Sequence, residues 1–277
     1  MVTFPNAKIN LGLNIVEKRP DGYHNLETLF YPIALQDVLE VTPRAAEAEG
    51  NYSMTMYNAP FEGRSEDNLV IKAYNALAAD FTLPKLDFFL QKNIPTGAGL
   101  GGGSADAAFA LKMINEMASL SLSDHELEKY AVSIGADCTF FIHNTPAFAT
   151  GIGNILSPAE CSLKGYYLVL VKPEVHISTK DAYALVKPEK PAISILDIVK
   201  RPVGEWRDLL KNDFEKSVFA KYPDIAEIKT KLYSIGAEYA SMSGSGSSFF
   251  GIFKEQQNVA EVEKMFSGCF CRVIELT

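Results

Sequence analysis

The amino-acid sequence predicts two domains of mixed strands and helices, the second of them an α+β domain. At 277 residues, 47% of them hydrophobic, the chain is long enough for two cores of medium size. From Tyr166 onward, strand and helix patterns alternate without hairpin-like pairs, which is typical of helices on one face of a sheet. The glycines that follow Thr150 interrupt the pattern, so we expect domains at residues 1–150 and 151–277.

Alternation of apolar and polar residues predicts the first strand. In residues 8–15 the odd positions are apolar and the even positions are polar or glycine, which indicates a half-buried strand. A Pro-Asp-Gly turn at residues 20–22 leads into a returning strand at 23–33, so the two form a hairpin or adjacent strands. Further strands are expected at 38–42, 52–57 and 86–92, and a helix runs from Leu69 toward Phe81 with Asp67 or Asn68 as its cap.

The remaining elements are predicted by caps, stops and periodicity. Ser123 and Glu126 have the spacing of a capping box, and Gly135 ends the helix that they begin. Other helices are expected at 105–117, in stretches of 179–206, at 223–235 and at 259–266. Strands are expected at 139–143, 147–150, 166–171, 247–253 and 272–276.

Composition limits the kinds of partner. The chain has 26 Lys and Arg against 34 Asp and Glu, a net charge of −8, and no dense basic segment, so we expect no nucleic-acid partner. The four cysteines form no C-x-x-C pair and the four histidines lack zinc-site spacing, so buried free thiols are expected. Without a signal sequence or an apolar run of the roughly 20 residues that span a membrane, the sequence predicts a cytoplasmic protein.

Residues 95–106, Pro-Thr-Gly-Ala-Gly-Leu-Gly-Gly-Gly-Ser-Ala-Asp, are the most informative segment. Three consecutive glycines ahead of Ser104 and a helix start allow the main chain to approach a ligand, and the amides of a helix N-terminus attract phosphate. A flexible glycine linker is the alternative, but such linkers do not usually lie between a strand and a helix. The segment therefore predicts a phosphate-binding loop.

Three familiar phosphate loops do not match. Pro95 and Thr96 separate the G-x-G-x-x-G run from its strand, and no acidic residue follows where a dinucleotide site needs one. The loop ends in Gly103-Ser104 without the lysine of a Walker A motif. The Val-Ala-Ile-Lys, His-Arg-Asp and Asp-Phe-Gly motifs of protein kinases are missing. The sequence therefore indicates a different class of kinase.

Three segments in order resemble the motifs of the GHMP kinase family, which includes galactokinase and the homoserine, mevalonate and phosphomevalonate kinases. They are residues 5–11, the central run 95–105 and the second glycine motif at 242–248. With Asp-Gly-Tyr-His at 21–24, Asp-Asn-Leu at 67–69 and Gly-Ala-Asp at 135–137, the chain is similar to the branch of the family that acts on cytidine-diphosphate-linked methylerythritol in the non-mevalonate isoprenoid pathway.

This resemblance implies an N-terminal α/β domain and a C-terminal ferredoxin-like α+β domain, with the active site in the cleft between them. It also implies that ATP gives its γ-phosphate to the 2-hydroxyl of the methylerythritol unit, with Mg²⁺ neutralising the phosphates. Lys8 and Asp137 match the catalytic pair. From the residues alone, a lysine on a strand more often faces water, and Asp137 could equally be a cap or turn carboxylate.

The resemblance also assigns binding residues. For the acceptor they are Asn10 together with Tyr23, His24 and Tyr183 around the cytosine, an arrangement that suits a planar base. The residues matching the ATP site are Asn68, Lys92, Pro95, Gly97, Gly99, Leu100, Gly101, Gly102, Gly103, Ser104 and Ala105. The second motif, Gly244, Ser245 and Gly246, would close the site near the substrate, or could be only a tight turn.

Some assignments stay open at this stage. Ser104 would donate its hydroxyl to a phosphate or the metal, or would act as the N-cap of its helix. Asp106 is the only acid near the loop, so the metal ligands are unknown. We expect a monomer or weak homodimer without nucleic-acid or membrane partners. The alternatives are a GHMP kinase with another acceptor, such as homoserine or mevalonate, and a non-catalytic nucleotide sensor.

Overall fold

The computed structural model describes residues 1–58 and 64–277. Its strands are β1 (Val2–Thr3), β2 (Asn6–Lys18), β3 (His24–Gln36), β4 (Val38–Pro43), β5 (Tyr52–Tyr57), β6 (Leu86–Gln91), β7 (Ala147–Thr150), β8 (Ile155–Pro158), β9 (Tyr167–Lys172), β10 (Tyr239–Met242), β11 (Phe249–Phe253) and β12 (Phe270–Glu275). Its helices are α1 (Leu69–Ala78), α2 (Gly102–Met117), α3 (Asp124–Ile134), α4 (Cys138–His143), α5 (Thr179–Tyr183), α6 (Ile195–Ile198), α7 (Phe214–Lys221), α8 (Pro223–Ser234) and α9 (Val259–Met265).

The chain forms two compact units that are not consecutive in sequence. Unit one contains residues 1–7, 35–96 and 101–145, and unit two contains residues 8–34, 97–100 and 146–277. The last passage between units, at residues 145 and 146, lies near the boundary expected after residue 150. Residues 8–34 and 97–100 belong with the later unit, although they come early in the chain.

Unit one combines a four-stranded sheet with helices α1 to α4. The strand order is β1-β4-β6-β5, and β5 and β6 are parallel while the other pairs are antiparallel. Parallel neighbours need a crossover, which here includes α1. Alternate residues of β6, Leu86, Phe88 and Leu90, are buried, as a period of two requires for a strand with one face on the core.

Unit two contains two sheets with strand orders β2-β3-β7-β8 and β10-β11-β9-β12. The second sheet is antiparallel, and α8 and α9 pack on its strands to form a core with α5 and α7. This arrangement agrees with the α+β class expected for the second domain.

The expectation of a half-buried first strand is wrong. Residues 6–13 of β2 are buried on both faces, including Lys8 and Asn10 at 3% exposure each. Polar side chains can be buried at such positions when hydrogen-bond partners replace water. The polar face of β2 is therefore part of the interior of the protein.

Residues 139–143 form helix α4 instead of the expected strand. Thr139, Phe140, Phe141 and Ile142 have high strand propensity, yet all four are buried in α4, which packs against α2 and α3. A short apolar run can be buried as either element, and tertiary packing decides between them. The sequence patterns also missed α7, β8 and β10. No helix in the described residues is long and apolar enough to cross a membrane.

Candidate active site

Lys8 is held on β2 by contacts within unit two. Its Nζ donates to Asn10 Oδ1 at 2.7 Å and to the Gly99 carbonyl at 3.1 Å, and lies 4.9 Å from the centre of the Phe30 ring. Asn10 Nδ2 donates to Thr28 Oγ1 at 3.0 Å. Both side chains are therefore oriented by hydrogen bonds. A lysine that is 3% exposed does not face water, as a strand lysine usually does.

The first glycine loop owes part of its glycine content to packing. Gly97, Gly99 and Gly101 have φ of +60°, +75° and +71°, a region that other residues rarely adopt. A Cβ on Gly99 would collide with the carbonyl oxygen of Ser243. Ser243 Oγ also donates to the Gly99 carbonyl at 2.9 Å, and the Leu100 carbonyl accepts from the Lys8 amide at 2.9 Å. The loop is therefore fixed against β2 and the second glycine motif within unit two.

The second glycine motif connects β10 and β11. The Ser243 amide donates to the Ser248 carbonyl at 2.8 Å, and the Gly246 amide donates to the Ser243 carbonyl at 3.0 Å. Asn212 Nδ2 donates to the Gly244 carbonyl at 2.9 Å and supports the turn from outside. The motif, with half-buried Ser245, is thus a tight turn that also contacts the first loop.

Helix α2 begins in the last glycines of the loop, in unit one. Gly101 is its N-cap in the left-handed conformation, and the Ala105 amide makes the 2.9 Å bond to the Gly101 carbonyl. The amides of residues 102–104 precede that bond, so they have no acceptor within the helix. The N-cap role considered for Ser104 is wrong, because the helix starts earlier and Ser104 lies in its first turn. This first turn has the dipole and free amides that suit an anion.

Lys92 lies in a buried cluster with two carboxylates, Asp37 and Asp106. Its Nζ donates to Asp37 Oδ2 and, at 2.7 Å, to Asp106 Oδ2. Asp37 Oδ1 also accepts from the amides of Asn93 at 2.6 Å and Ile94 at 2.8 Å. The cluster thus holds the chain that enters the glycine loop. The assignment of Lys92 to ATP stays a prediction, and the ion pairs give this lysine a structural role in unit one.

Burial shifts the pKa values of this cluster. Burial raises the pKa of Asp106 to about 7, although the Lys92 ammonium opposes the shift. Burial lowers the pKa of Lys92, but the Asp106 and Asp37 carboxylates outweigh it, and the net shift is upward. Asp106 Oδ1 is buried without a hydrogen-bond partner. With a pKa of about 7, the Asp106 carboxyl group is therefore partly protonated near neutral pH.

Asn68 and Pro95, which are also assigned to ATP, lie in unit one. Asn68 is the N-cap of α1, where its Oδ1 accepts from the Val70 amide at 2.9 Å and its Nδ2 contacts Met56 Sδ at 3.3 Å. Of the two expected caps, Asn68 is the one used. Pro95 is half-buried and directly follows Ile94. Their contact with ATP stays a prediction.

Asp137 begins the short helix α4 in unit one. It is half-buried at the N-cap position, and its side chain makes no capping hydrogen bond to that helix. Its neighbour Cys138 forms a hydrogen bond with Ser104 of α2, the helix that follows the loop. Burial raises the pKa of the Cys138 thiol to about 11, and the hydrogen bond with Ser104 opposes that shift. Ser104 and Cys138, which directly follows Asp137, are therefore close in space. An ordinary capping role does not explain Asp137.

Two of the three residues assigned to the cytosine, His24 and Tyr183, are in contact in unit two. The His24 and Tyr183 rings stack with centroids 4.8 Å apart and an interplanar angle of 27°. Phe214 contacts Tyr183 edge-on at 4.7 Å, and Tyr23, beside His24, is 63% exposed. The structure thus brings together two residues that are far apart in sequence. Tyr183 ends α5, and Tyr23 precedes β3.

Sequence patterns assigned no individual role to several residues that shape these sites, although Ser243 lies within the second glycine motif. Ser243 donates a hydrogen bond to the Gly99 carbonyl, Thr28 accepts one from Asn10, and Asp37 accepts one from Lys92. Their signals are weak, since single polar residues in apolar segments are common in loops and strands. Among residues 1–58 and 64–277, no three His, Cys, Asp or Glu side chains are grouped so that they could hold a metal ion.

Comparison with known proteins decides the family. The model of the GHMP kinases N terminal domain matches residues 68–149, and that of the GHMP kinases C terminal domain matches residues 194–270. Together they cover more than half of the chain. The protein belongs to the GHMP kinase family. This GHMP kinase is therefore an ATP-using enzyme that phosphorylates a small molecule, and its fold is the expected two-domain fold.

Individual relatives are similar over the full length of this GHMP kinase. A protein of Bacteroides fragilis named 4-diphosphocytidyl-2-C-methyl-D-erythritol kinase is 56% identical over 276 residues, covering 100% of both chains. A crystal structure of 4-(cytidine 5'-diphospho)-2C-methyl-D-erythritol kinase has a TM-score of 0.82 at 28% identity and also covers 100% of both chains. Homoserine kinase from Cytophaga hutchinsonii has a TM-score of 0.72 at 16% identity, covering 98% of this chain and 95% of its own, and is similar in fold alone.

Proposed function

We propose that this enzyme transfers the γ-phosphate of ATP to the 2-hydroxyl of 4-diphosphocytidyl-2-C-methyl-D-erythritol, a step of the non-mevalonate isoprenoid pathway. Full-length similarity to proteins of that name supports the proposal. The contact between His24 and Tyr183, with exposed Tyr23 beside it, carries the choice of acceptor. A stacked ring and a hydrogen-bonding imidazole suit a cytosine, whereas homoserine and mevalonate have no planar base.

The proposed reaction is an in-line displacement at phosphorus. The acceptor oxygen forms a bond to the γ-phosphorus, the bond to the β-phosphate oxygen breaks, and ADP leaves. We assign Asp137 as the base that accepts the hydroxyl proton and passes it to solvent. Lys8, oriented by Asn10 and Gly99, neutralises charge on the transferring group. Little covalent chemistry is required of the protein, so position and charge dominate.

Binding of the nucleotide is assigned to the first glycine loop. The amides of residues 102–104 at the start of α2 would donate to phosphate oxygens. Mg²⁺ would bind together with the phosphates and neutralise their charge. It usually takes only one or two ligands from the protein at such sites. Ser104 suits this task because its hydroxyl lies in the first turn of α2, whereas Asp106 does not, because it is buried and paired with Lys92.

A test compares acceptors. Purified protein is incubated with ATP and, in turn, the cytidine substrate, homoserine and mevalonate, and ADP release is followed. We expect turnover with the cytidine substrate and only background ADP with the other two. A folded protein that releases no ADP with the cytidine substrate would disprove the proposal. Turnover of homoserine or mevalonate would assign another acceptor, and ATP binding without turnover would indicate a sensor.

The same proposal includes the setting of the enzyme. We assign it to the cytoplasm, where its two small-molecule substrates meet, as a monomer or weak homodimer with no nucleic-acid or membrane partner. Size-exclusion chromatography with light scattering checks the oligomeric state. A stable higher oligomer would contradict that part of the proposal.

A further inference from the structure

His176 lies beside the first glycine loop in unit two. A Cβ placed on Gly97 would be 3.4 Å from Nδ1 and 3.5 Å from Cε1 of His176. Gly97 is exposed and has φ of +60°, so an open stretch of main chain faces the imidazole edge. A ring nitrogen of His176 thus lies next to a loop that is assigned to phosphate binding.

The segment around His176 is anchored on both sides. Ser247 Oγ donates to the Val175 carbonyl at 2.5 Å. Ile177 is 4% exposed, and its Cδ1 lies 2.9 Å from the position of a Cβ on Gly246. Both contacts are to the second glycine motif or its immediate neighbour. The backbone that carries the imidazole is therefore held in place.

The same segment connects the loop to the base-binding ring. The Ser248 amide donates to the Ala98 carbonyl at 3.2 Å, which ties the first loop to the motif that anchors His176. Two residues beyond His176, Ser178 caps α5, and α5 ends at Tyr183. His176 thus contacts the first glycine loop, and a short stretch of chain joins it to Tyr183 of the proposed base site.

We propose that His176 is a phosphate-binding residue, whose imidazole donates a hydrogen bond to a phosphate oxygen held at Gly97. The proposal rests on the proposed function, in which both substrates carry phosphate chains: the triphosphate of ATP and the diphosphate of the cytidine substrate. A histidine has an N–H donor in either neutral tautomer. Because Gly97 and His176 are both exposed and close together, a phosphate oxygen that approaches from solvent can contact the ring and the main chain at once.

The test uses ligand pairs that differ only in phosphate. Binding of ADP and adenosine, and of CDP and cytidine, is measured by calorimetry for the wild type, His176→Ala and His176→Asn. We expect His176→Ala to weaken binding of ADP or of CDP about five- to twentyfold, the loss of one hydrogen bond to a charged group. The nucleosides should bind as before. Whichever nucleotide responds identifies the source of the phosphate.

Two variants serve as controls. His176→Asn keeps an N–H donor near the position of Nδ1, so it should recover most of the lost affinity. His125→Ala removes an exposed histidine on α3 that contacts Glu128, and all four affinities should be unchanged. If His176→Ala does not fold, His176→Leu, which also lacks a donor, replaces it in the same measurements, with loss of nucleotide affinity again expected.

The outcomes separate this proposal from the function it rests on. Unchanged affinity for both ADP and CDP would overturn the role of His176, as would an equal loss for nucleoside and nucleotide. Turnover of the cytidine substrate by the same wild-type preparation tests the function independently. An active wild type with an unaffected His176→Ala variant removes only His176 from the site.

Discussion

Two buried lysines, one in each unit, have different surroundings. Lys8, 3% exposed, is oriented by an amide oxygen, a main-chain carbonyl and an aromatic face. Lys92, 7% exposed, lies between the carboxylates of Asp37 and Asp106. The two carboxylates neutralise the buried charge of Lys92. These ion pairs give Lys92 a role in the architecture of the loop, whereas the role of Lys8 in the reaction is a proposal.

The largest expected effect is on the rate of the reaction. Lys8→Met should lower kcat by about 100- to 1000-fold, because it removes a preorganised charge from the transition state. Asp137→Asn should still bind both substrates, but its kcat should fall by a similar factor, because an amide cannot accept the proton. Initial rates with ATP and the cytidine substrate measure both. Lys18→Met, an exposed lysine at the end of β2, should behave as wild type. Near-normal turnover in either test variant would remove that residue from its role.

The second prediction concerns stability at Lys92. Lys92→Met should lower the free energy of unfolding by about 3–5 kcal/mol at pH 8, because it leaves buried carboxylates without their cation. Urea denaturation measures this value. As a matched control, Lys72→Met on exposed α1 surface should change it by less than about 0.5 kcal/mol. A stable Lys92→Met enzyme with only a raised KM for ATP would instead support a direct nucleotide contact.

The third prediction follows from the raised pKa of Asp106. Its folded-state pKa of about 7 exceeds its ordinary value of 3.8, so between these values the folded protein holds a proton that the unfolded chain releases. The stability from this group is complete below pH 4 and is lost as the pH rises to about 7, with a slope of at most about 1.4 kcal/mol per pH unit. Asp106→Asn should lack this slope. Parallel stability curves for the two proteins from pH 4 to 8 would contradict the assignment.

The smallest expected effect concerns Asn68, which like Lys92 has a structural role in unit one. Asn68→Ala should cost about 1 kcal/mol through loss of the α1 cap, while Asn68→Asp, which also caps, should cost much less. Thermal unfolding of the two variants gives the comparison. If Asn68 binds ATP through its amide, both variants should also raise the KM for ATP, and an unchanged KM would leave only the cap.

Local signals in the sequence predicted many of the elements. Strand β5 occupies the expected residues 52–57, and α3 has the expected capping box of Ser123 and Glu126. The glycine loop opens into a helix as expected. Local preference failed at α4, where strand-forming residues are packed as a helix. Caps and periodicity act within a few residues, so elements that depend on them could be predicted.

The surroundings of the site residues could not be predicted in the same way. Lys92 pairs with Asp37, 55 residues away, and Asp106, 14 residues away, and no local spacing signals either pair. Asn10 similarly contacts Ser243, 233 residues away. Motifs therefore predict site roles for Lys8 and Lys92, but their surroundings become visible only through tertiary contacts.

The most direct test of the account is the position of the phosphate in the product. The 2-carbon of the acceptor bears a methyl group and no hydrogen, so a phosphate on its oxygen has no carbinol proton to couple with. We predict that the ³¹P spectrum of the product contains a phosphomonoester signal without such proton coupling. A phosphomonoester signal split by carbinol protons, as for transfer to the 1- or 3-hydroxyl, would contradict the account.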